Sequence, residues 1–529
     1  MLSILTITLN LSSFLLLILG ARLTLQWAQQ TGYRPERYRK RLFDPLLPLY
    51  KKSGFLTYGV ISFAMVLLAW SISTTLSLVT LMIATIQLCY RTYKKVSNEK
   101  KPLVYTQRVK RLCIALSLTT FLCAYILSTN LFEFTLPITT ALIPFLMFVT
   151  LFIVKPIENR INQFFLDDAR KKISSLSQLT TIGITGSYGK TSTKLALSQV
   201  LSQELLTLCS PGSVNTELGL ARIVREEIKN IHQVFIAEMG ARQKGDIALC
   251  ASIVKPKFGI ITTIGEAHLE TFGSRENIAR TKYELIESLP SDGVAFFNAD
   301  NDFTKEFVGK THCKSVTFAL KNTDADFQVR EIKTNSSGSS FTLYVKENSK
   351  EYQFQTSLLG APNIYNLAAA IAVATELGIS FEKIQFAVRE VKPAEHRLVL
   401  MKKPNNTLVI DDAYNSNPVG FKAAVDVLES FAPRNRILVT PGMVELGDRE
   451  FDLNKEVATY AATKCDAAVI VGSEQRRTAL KEGLLAGGLD KELLKEANSL
   501  AEAHSLIAAL SKGNDIILFE NDLPDLYGG

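Results

Sequence analysis

The chain has 529 residues, too many for one core and enough for roughly three to four domains at about 150 residues each. Hydrophobic residues make up 47% and the formal charge is +8, but neither is spread evenly: long apolar runs crowd the first 155 residues, and the rest alternates apolar and charged stretches as an α/β protein does. Much of the positive excess lies in two short loops between apolar runs, which points to a membrane surface rather than to nucleic acid. The seven cysteines are scattered without a CxxC pair, so neither a zinc site nor a disulfide framework is indicated.

In chain order, five apolar runs come first, at residues 2–19, 54–71, 75–90, 112–128 and 131–154. A bilayer core about 30 Å thick takes roughly 20 helical residues, so the first, fourth and fifth runs are long enough and the middle pair is short. The loop after the first run carries Arg22, Arg34, Arg37, Arg39, Lys40, Arg41, Lys51 and Lys52. The loop before the fourth carries Arg91, Lys94, Lys95, Lys100, Lys101, Arg108, Lys110 and Arg111. By the positive-inside rule this is a multi-pass cell-membrane protein with its N-terminus outside, and everything from Lys155 onward is cytoplasmic. Four more apolar runs follow residues 1–20, and no positive charge precedes the first, which argues against a cleaved signal peptide.

An amphipathic stretch at 157–179 reads as a linker helix. It leads into Thr180-Thr-Ile-Gly-Ile-Thr-Gly-Ser-Tyr-Gly-Lys-Thr-Ser-Thr-Lys194, a β-rich run, a glycine turn and a helix start. That order makes a phosphate cradle. Gly186 and Gly189 let backbone N–H groups approach phosphate oxygens, with Thr185, Ser187, Tyr188 and Ser192 completing the loop. Lys190 reaches the β/γ-phosphates, and the Thr191 hydroxyl can ligate Mg²⁺. The spacing TGxxGKT lacks the first glycine of the usual pattern, since position 184 is Ile.

The loop resembles that of the Mur ligases and folylpolyglutamate synthetases, and six further motifs follow in that family's order. They are Ser213-Val-Asn-Thr-Glu-Leu-Gly219, Glu238-Met-Gly240, Ala267-His-Leu-Glu-Thr-Phe-Gly-Ser274, Arg280-Thr-Lys-Tyr-Glu284, Asn363-Ile-Tyr-Asn366 and Val409-Ile-Asp-Asp-Ala-Tyr-Asn-Ser-Asn-Pro418. The last is similar to the block of the branch that adds D-alanyl-D-alanine to a muramoyl-tripeptide.

The resemblance covers residues 182 to the end. It implies an ATP-dependent carboxylate–amine ligase acting through an acyl phosphate in peptidoglycan precursor synthesis. By the same resemblance Thr191 and Glu238 hold one Mg²⁺, His268 helps hold a second, and Lys282, if carbamylated, places the acceptor carboxylate. Arg397 approaches the phosphates, although His396 stands where the family more often has glycine. Asn298 and Asn366 line the adenine side, Asp412 meets the ribose or the domain hinge, and Tyr414, Asn415 and Asn417 fix nucleotide and amine. The segment Thr440-Pro-Gly-Met-Val-Glu-Leu-Gly447 resembles a turn that meets the amine.

From 406 onward strand-like and helical runs alternate: 407–410, 420–431, 436–440, 452–462, 467–471, 476–485, 501–510 and 515–519. The pattern predicts a small parallel sheet flanked by helices. The expected class is therefore α/β: a helical membrane region at 1–154, a linker at 155–178, a central P-loop parallel-sheet domain at 179–392, and a Rossmann-like domain at 393–529. Membrane spans occupy the place where soluble members of the family hold the UDP end of the precursor, so the acceptor is either UDP-linked, with the basic segment 33–41 as a diphosphate site, or lipid-linked. Oligomeric state is not legible. Two other readings stay open: a poly-γ-glutamate or other amino-acid ligase of the same superfamily, and a P-loop transporter. The transporter would call for charged residues in its spans.

Overall fold

The computed structural model describes residues 2–43, 74–97, 102–128, 135–265, 269–403, 406–414, 416–444 and 446–522. The chain divides into two compact units, 1–163 and 164–529.

The first unit is helical: Leu2–Gln30, Pro35–Phe43, Thr74–Ser97, Gln107–Ser128 and the start of Thr135–Ser175. Three helical stretches among the described residues, Ile7–Gln30, Gln107–Ser128 and Thr135–Ser175, are long and apolar enough to cross a membrane. Of the other two expected spans, 54–71 lies outside the described residues, and 75–90 falls within the helix Thr74–Ser97. Leu9, Leu16, Leu23, Trp27, Leu81 and Met147 pack as this unit's core. Ile114, Leu118, Phe121 and Tyr125, at three- and four-residue spacing on one face of Gln107–Ser128, are exposed. Glu158 is buried and accepts a two-pronged bond from Arg111 at 2.7 and 3.0 Å, with Arg108 at 3.3 Å, so its charge is compensated. The amphipathic stretch after residue 157 is continuous with the last apolar run, in one 41-residue helix that carries Pro144 and Pro156 inside it.

The second unit holds two sheets. The larger contains β1 (Thr180–Thr185), β2 (Thr207–Cys209), β3 (Val234–Glu238), β4 (Phe258–Ile261), β5 (Val294–Asn298), β6 (Lys314–Ala319), β7 (Phe327–Asn335), β8 (Gly338–Val345) and β9 (Lys350–Thr356), ordered β2-β3-β1-β4-β5-β6-β7-β8-β9. β2 to β7 run parallel, and β8 and β9 close the edge as antiparallel hairpins. A parallel sheet needs apolar cover on both faces, and β5 shows how the sequence supplies it. Val294 and Phe296 enter one layer with Leu197 and Ile364, while Ala295 and Phe297 enter the other with Ile247 and Leu285.

The smaller sheet contains β10 (Val399–Lys402), β11 (Leu408–Asp412), β12 (Asn435–Thr440), β13 (Ala467–Val471), β14 (Leu494–Ala497) and β15 (Asp515–Glu520), ordered β10-β11-β15-β12-β13-β14. Only β10 is antiparallel. Its core also has two layers, Ile410, Leu438 and Leu518 against Val409, Val439 and Ile517. The parallel strands leave their carboxyl ends on one edge of each sheet, where open α/β sheets bind ligands.

Candidate active site

The site grows from the carboxyl ends of β1 and β3, which are adjacent and in register, Ile184 opposite Glu238. Past β1 the chain turns through Gly186 at φ 152° and Gly189 at φ 81° into the helix Lys190–Leu201. A Cβ on Gly186 would stand 2.0 Å from Thr262 Oγ1, so only glycine fits. The loop is pinned on its inner side: Ser187 N donates to Thr263 O at 2.7 Å, Ser187 Oγ to Gly265 O, and Thr262 Oγ1 to Tyr188 O at 2.6 Å. The buried Thr185 hydroxyl donates to Met239 O. Ser192 follows in the first helical turn. These bonds fix the loop's curve before any ligand arrives.

Glu238 is buried at the end of β3 and has three partners. Thr191 Oγ1 donates to its Oε2 at 2.9 Å, Lys194 Nζ lies 3.1 Å from the same oxygen, and Asn215 Nδ2 donates to Oε1 at 3.0 Å. Lys190 Nζ donates to Gly186 O at 2.7 Å and Ser187 O at 3.2 Å; burial pulls its pKa down, and the Arg397 guanidinium adds to that against the opposing pull of Glu238. Lys282, buried on the helix Arg275–Glu287, is pushed down to about 7 by burial first and by Lys190 second, with Asp246 and Glu284 pulling the other way. The pocket is therefore rich in cations.

From the smaller sheet, Arg397 stacks on the Tyr414 ring at 4.4 Å, and the Tyr414 hydroxyl meets Ser213 Oγ at 2.8 Å, bringing the C-terminal residues to the phosphate loop. His396 has φ 56° and Leu398 φ 49°, so Arg397 sits between two left-handed residues. This accounts for glycine being favoured at position 396. Here histidine holds that conformation with its Nδ1 2.8 Å from Asp411 Oδ2.

Of the residues singled out by sequence, Thr185 to Thr191, Glu238, Lys282, Arg397 and Tyr414 converge. Asn366 is committed elsewhere: Thr193 Oγ1 donates to its Oδ1 at 2.8 Å, under the loop helix. Asn298 donates to Thr263 Oγ1 at 3.3 Å and caps Asp300 N. Asn417 is the N-cap of the helix Pro418–Glu429, accepting from Val419 N and Gly420 N. Asp412 accepts from Leu398 N at 3.1 Å. His268 and Asn415 lie outside the described residues.

Three participants were not anticipated: Lys194 and Asn215 on Glu238, and Glu520 beside Asp412. Lys194 was visible as a second lysine one turn after Lys190, where helix geometry puts both on one face. Glu520 ends β15 directly opposite Asp412 on β11, is buried, and receives a bond from Ser416 Oγ. Burial first and Asp412 second push its carboxyl well above the ordinary range, so the pair keeps a proton that free carboxylates have lost.

A glycine-turn phosphate cradle at the carboxyl edge of a parallel sheet, faced by an arginine that leads into a second sheet, defines a P-loop nucleotide-dependent enzyme. Two family models match, the Mur ligase middle domain over residues 184–374 and the Mur ligase glutamate ligase domain over 396–520. The UDP-N-acetylmuramoyl-tripeptide–D-alanyl-D-alanine ligase of Bacillus subtilis is 33% identical over 346 residues, 64% of this chain and 72% of that protein. The enzyme of the same name from Escherichia coli is 29% identical over 69% of this chain and 82% of its own length. Among solved structures, MurF from Acinetobacter baumannii superposes with a TM-score of 0.61 at 28% identity, over 68% of this chain and 77% of that one. The MurF ligase from Thermotoga maritima in complex with ADP gives 0.62 at 25% identity, over 68% and 80%. The chain belongs to the Mur ligase family and is an ATP-dependent amide-forming ligase.

Two outcomes follow from this geometry. Gly186→Ala abolishes nucleotide binding in equilibrium dialysis, while Gly309→Ala, whose Cβ would meet nothing within 4 Å, leaves it intact. Because the folded protein holds a proton on the Asp412–Glu520 pair that the unfolded chain releases, stability falls as pH rises from the ordinary glutamate value near 4.5 through the raised folded value. Glu520→Gln keeps the shape of the protonated form and flattens that fall in denaturation curves recorded across pH.

Proposed function

We propose that this protein joins D-alanyl-D-alanine to the terminal carboxylate of a muramoyl-tripeptide precursor, at the membrane. The observation that carries the reading is the convergence of Lys190, Thr191, Glu238 and Arg397 on one phosphate loop, in a chain whose relatives bear that activity in their names. In the reaction a tripeptide carboxylate oxygen attacks the γ-phosphorus of ATP and ADP leaves. The amine nitrogen then attacks the carbonyl carbon of the acyl phosphate, gives up a proton, and inorganic phosphate departs.

The residues divide the work by charge. Lys190 leaves its loop carbonyls for the β/γ-phosphates, and Arg397, held on Tyr414, neutralises the charge that moves toward the leaving ADP. A hydroxyl and a carboxylate side by side suit a hard, oxygen-preferring cation, so Thr191 and Glu238 would hold Mg²⁺, with His268 at a second ion. Bound there, the metal screens the phosphates. Asn298, Asn366, Asp412 and Asn415 belong to the nucleotide side in this reading, Asn366 by supporting the loop from below.

A lysine lowered to about 7 has a substantial neutral fraction at cytoplasmic pH. The neutral Lys282 nitrogen can then attack CO₂, forming an N–C bond and releasing one proton, and the resulting carbamate carries a negative charge where the amine carried none. Activity is expected to rise with added bicarbonate in CO₂-depleted buffer, and Lys282→Arg to remove both the activity and that response.

The domain division we propose is 1–154 for the membrane region, 155–178 for the linker, 179–392 for ATP binding and 393–529 for the closing domain. The three apolar helices and the outward apolar stripe on Gln107–Ser128 support a multi-pass anchor, with the N-terminus outside and the ligase cytoplasmic. A membrane anchor favours a membrane-associated acceptor over a freely diffusing one. Detergent-solubilised enzyme given ATP, Mg²⁺ and D-alanyl-D-alanine should form an amide product with the lipid-linked tripeptide faster than with the UDP-linked form. Lys190→Ala should lower the rate by about a thousandfold or more. ATP binding without product on either acceptor, but with product when glutamate replaces the dipeptide, would transfer the assignment to an amino-acid ligase.

A further inference from the structure

The phosphate-loop helix carries two lysines one turn apart, and they have separate surroundings. Lys190 bonds loop carbonyls at the mouth of the cradle. Lys194 has no exposure at all: its ammonium bonds Gly212 O and lies 3.1 Å from Glu238 Oε2, the oxygen that also accepts the Thr191 hydroxyl. Burying a lysine side chain completely is costly unless a fixed negative charge meets it, and Glu238, itself buried, is that charge. Among the described residues no cluster of three metal-ligating side chains forms, and Glu238 is the carboxylate that bonds this loop's helix.

One carboxylate whose charge is already matched by a buried ammonium attracts a divalent cation weakly. Lys190 and Arg397 face the same space and add to the repulsion. Nucleotide phosphates reverse this balance, because they bring several negative charges to the cationic cradle.

We infer that Lys194 is a positioning residue that acts as the resident counter-ion of Glu238, so that the pocket takes up a divalent metal only together with nucleotide. The inference rests on the reading of Thr191 and Glu238 as metal ligands. It makes metal–nucleotide entry ordered: free cytoplasmic Mg²⁺ does not occupy the site, and nucleotide recruits the ion. Asn215, bonded to the other oxygen of Glu238, keeps the carboxylate in place while the charges change around it.

The test uses the full-length protein in detergent with Mn²⁺ as a paramagnetic probe, its binding to this site read by electron paramagnetic resonance with and without ADP. Wild type should bind Mn²⁺ here at least about tenfold more tightly with ADP than alone, and Lys194→Met should strengthen binding in the absence of nucleotide by about tenfold or more, since a unit charge next to the ion is removed. Lys194→Arg, which keeps the charge, should behave as wild type. Equal Mn²⁺ affinity with and without ADP in wild type would overturn the inference without recourse to any variant. Unchanged nucleotide-free affinity in Lys194→Met, in protein that still binds ADP, would overturn the role of Lys194 alone. Glu238→Gln separates the two layers: if it retains full Mn²⁺ affinity in the presence of ADP, the ligand assignment fails and the counter-ion role falls with it.

Discussion

Everything in the catalytic half depends on a buried carboxylate held by three neighbours. Thr191, Lys194 and Asn215 meet both oxygens of Glu238 inside the protein. Two of them, Thr191 and Lys194, come from the first turns of the helix Lys190–Leu201, and Asn215 comes from the stretch before the helix Glu217–Glu226. That helix is capped by Thr216, which accepts from Gly219 N, so a single short motif both starts a helix and aims Asn215 at Glu238. Removing any of these partners leaves a charge or a polar group inside the fold uncompensated.

The C-terminal half meets this centre through Arg397 and through Tyr414, whose hydroxyl bonds Ser213 Oγ, and the local backbone shows how the arginine is aimed. His396 and Leu398 take left-handed conformations on either side of Arg397, Asp411 holds His396, and Asp412 holds the Leu398 amide. The acidic pair at the end of β11 thus works on the backbone around the arginine, while Tyr414 supports the guanidinium itself. The next residues of the same block serve the fold: Ser416 bonds Glu520, and Asn417 with Pro418 starts a helix. A block of sequence that reads as a set of ligands is largely a scaffold for one cation.

The helical unit follows other rules. Its buried Glu158 meets Arg111 and Arg108, and Gln29 bonds Val104 through both its amide nitrogen and its oxygen. Its apolar residues are divided between an inward core and an exposed stripe on Gln107–Ser128.

The sequence by itself determined the α/β class, the phosphate loop and the alternating C-terminal elements, because periodicity and glycine-turn chemistry are local and survive without knowledge of neighbours. The strands expected at 407–410, 436–440, 467–471 and 515–519 appear within a residue or two as β11, β12, β13 and β15. What local pattern could not supply was pairing. β10 and β14 are four-residue edge strands with no strong alternation, made by their partners, and the β7 to β9 hairpins extend a parallel sheet in a way no local signal specifies. The partners of Glu238, the opposition of Glu520 to Asp412 across β15 and β11, and the use of Asn366 beneath the loop are likewise decisions of tertiary structure. Each joins residues tens to hundreds of positions apart, and only the register of a finished sheet and the burial of its ends determine which charges meet.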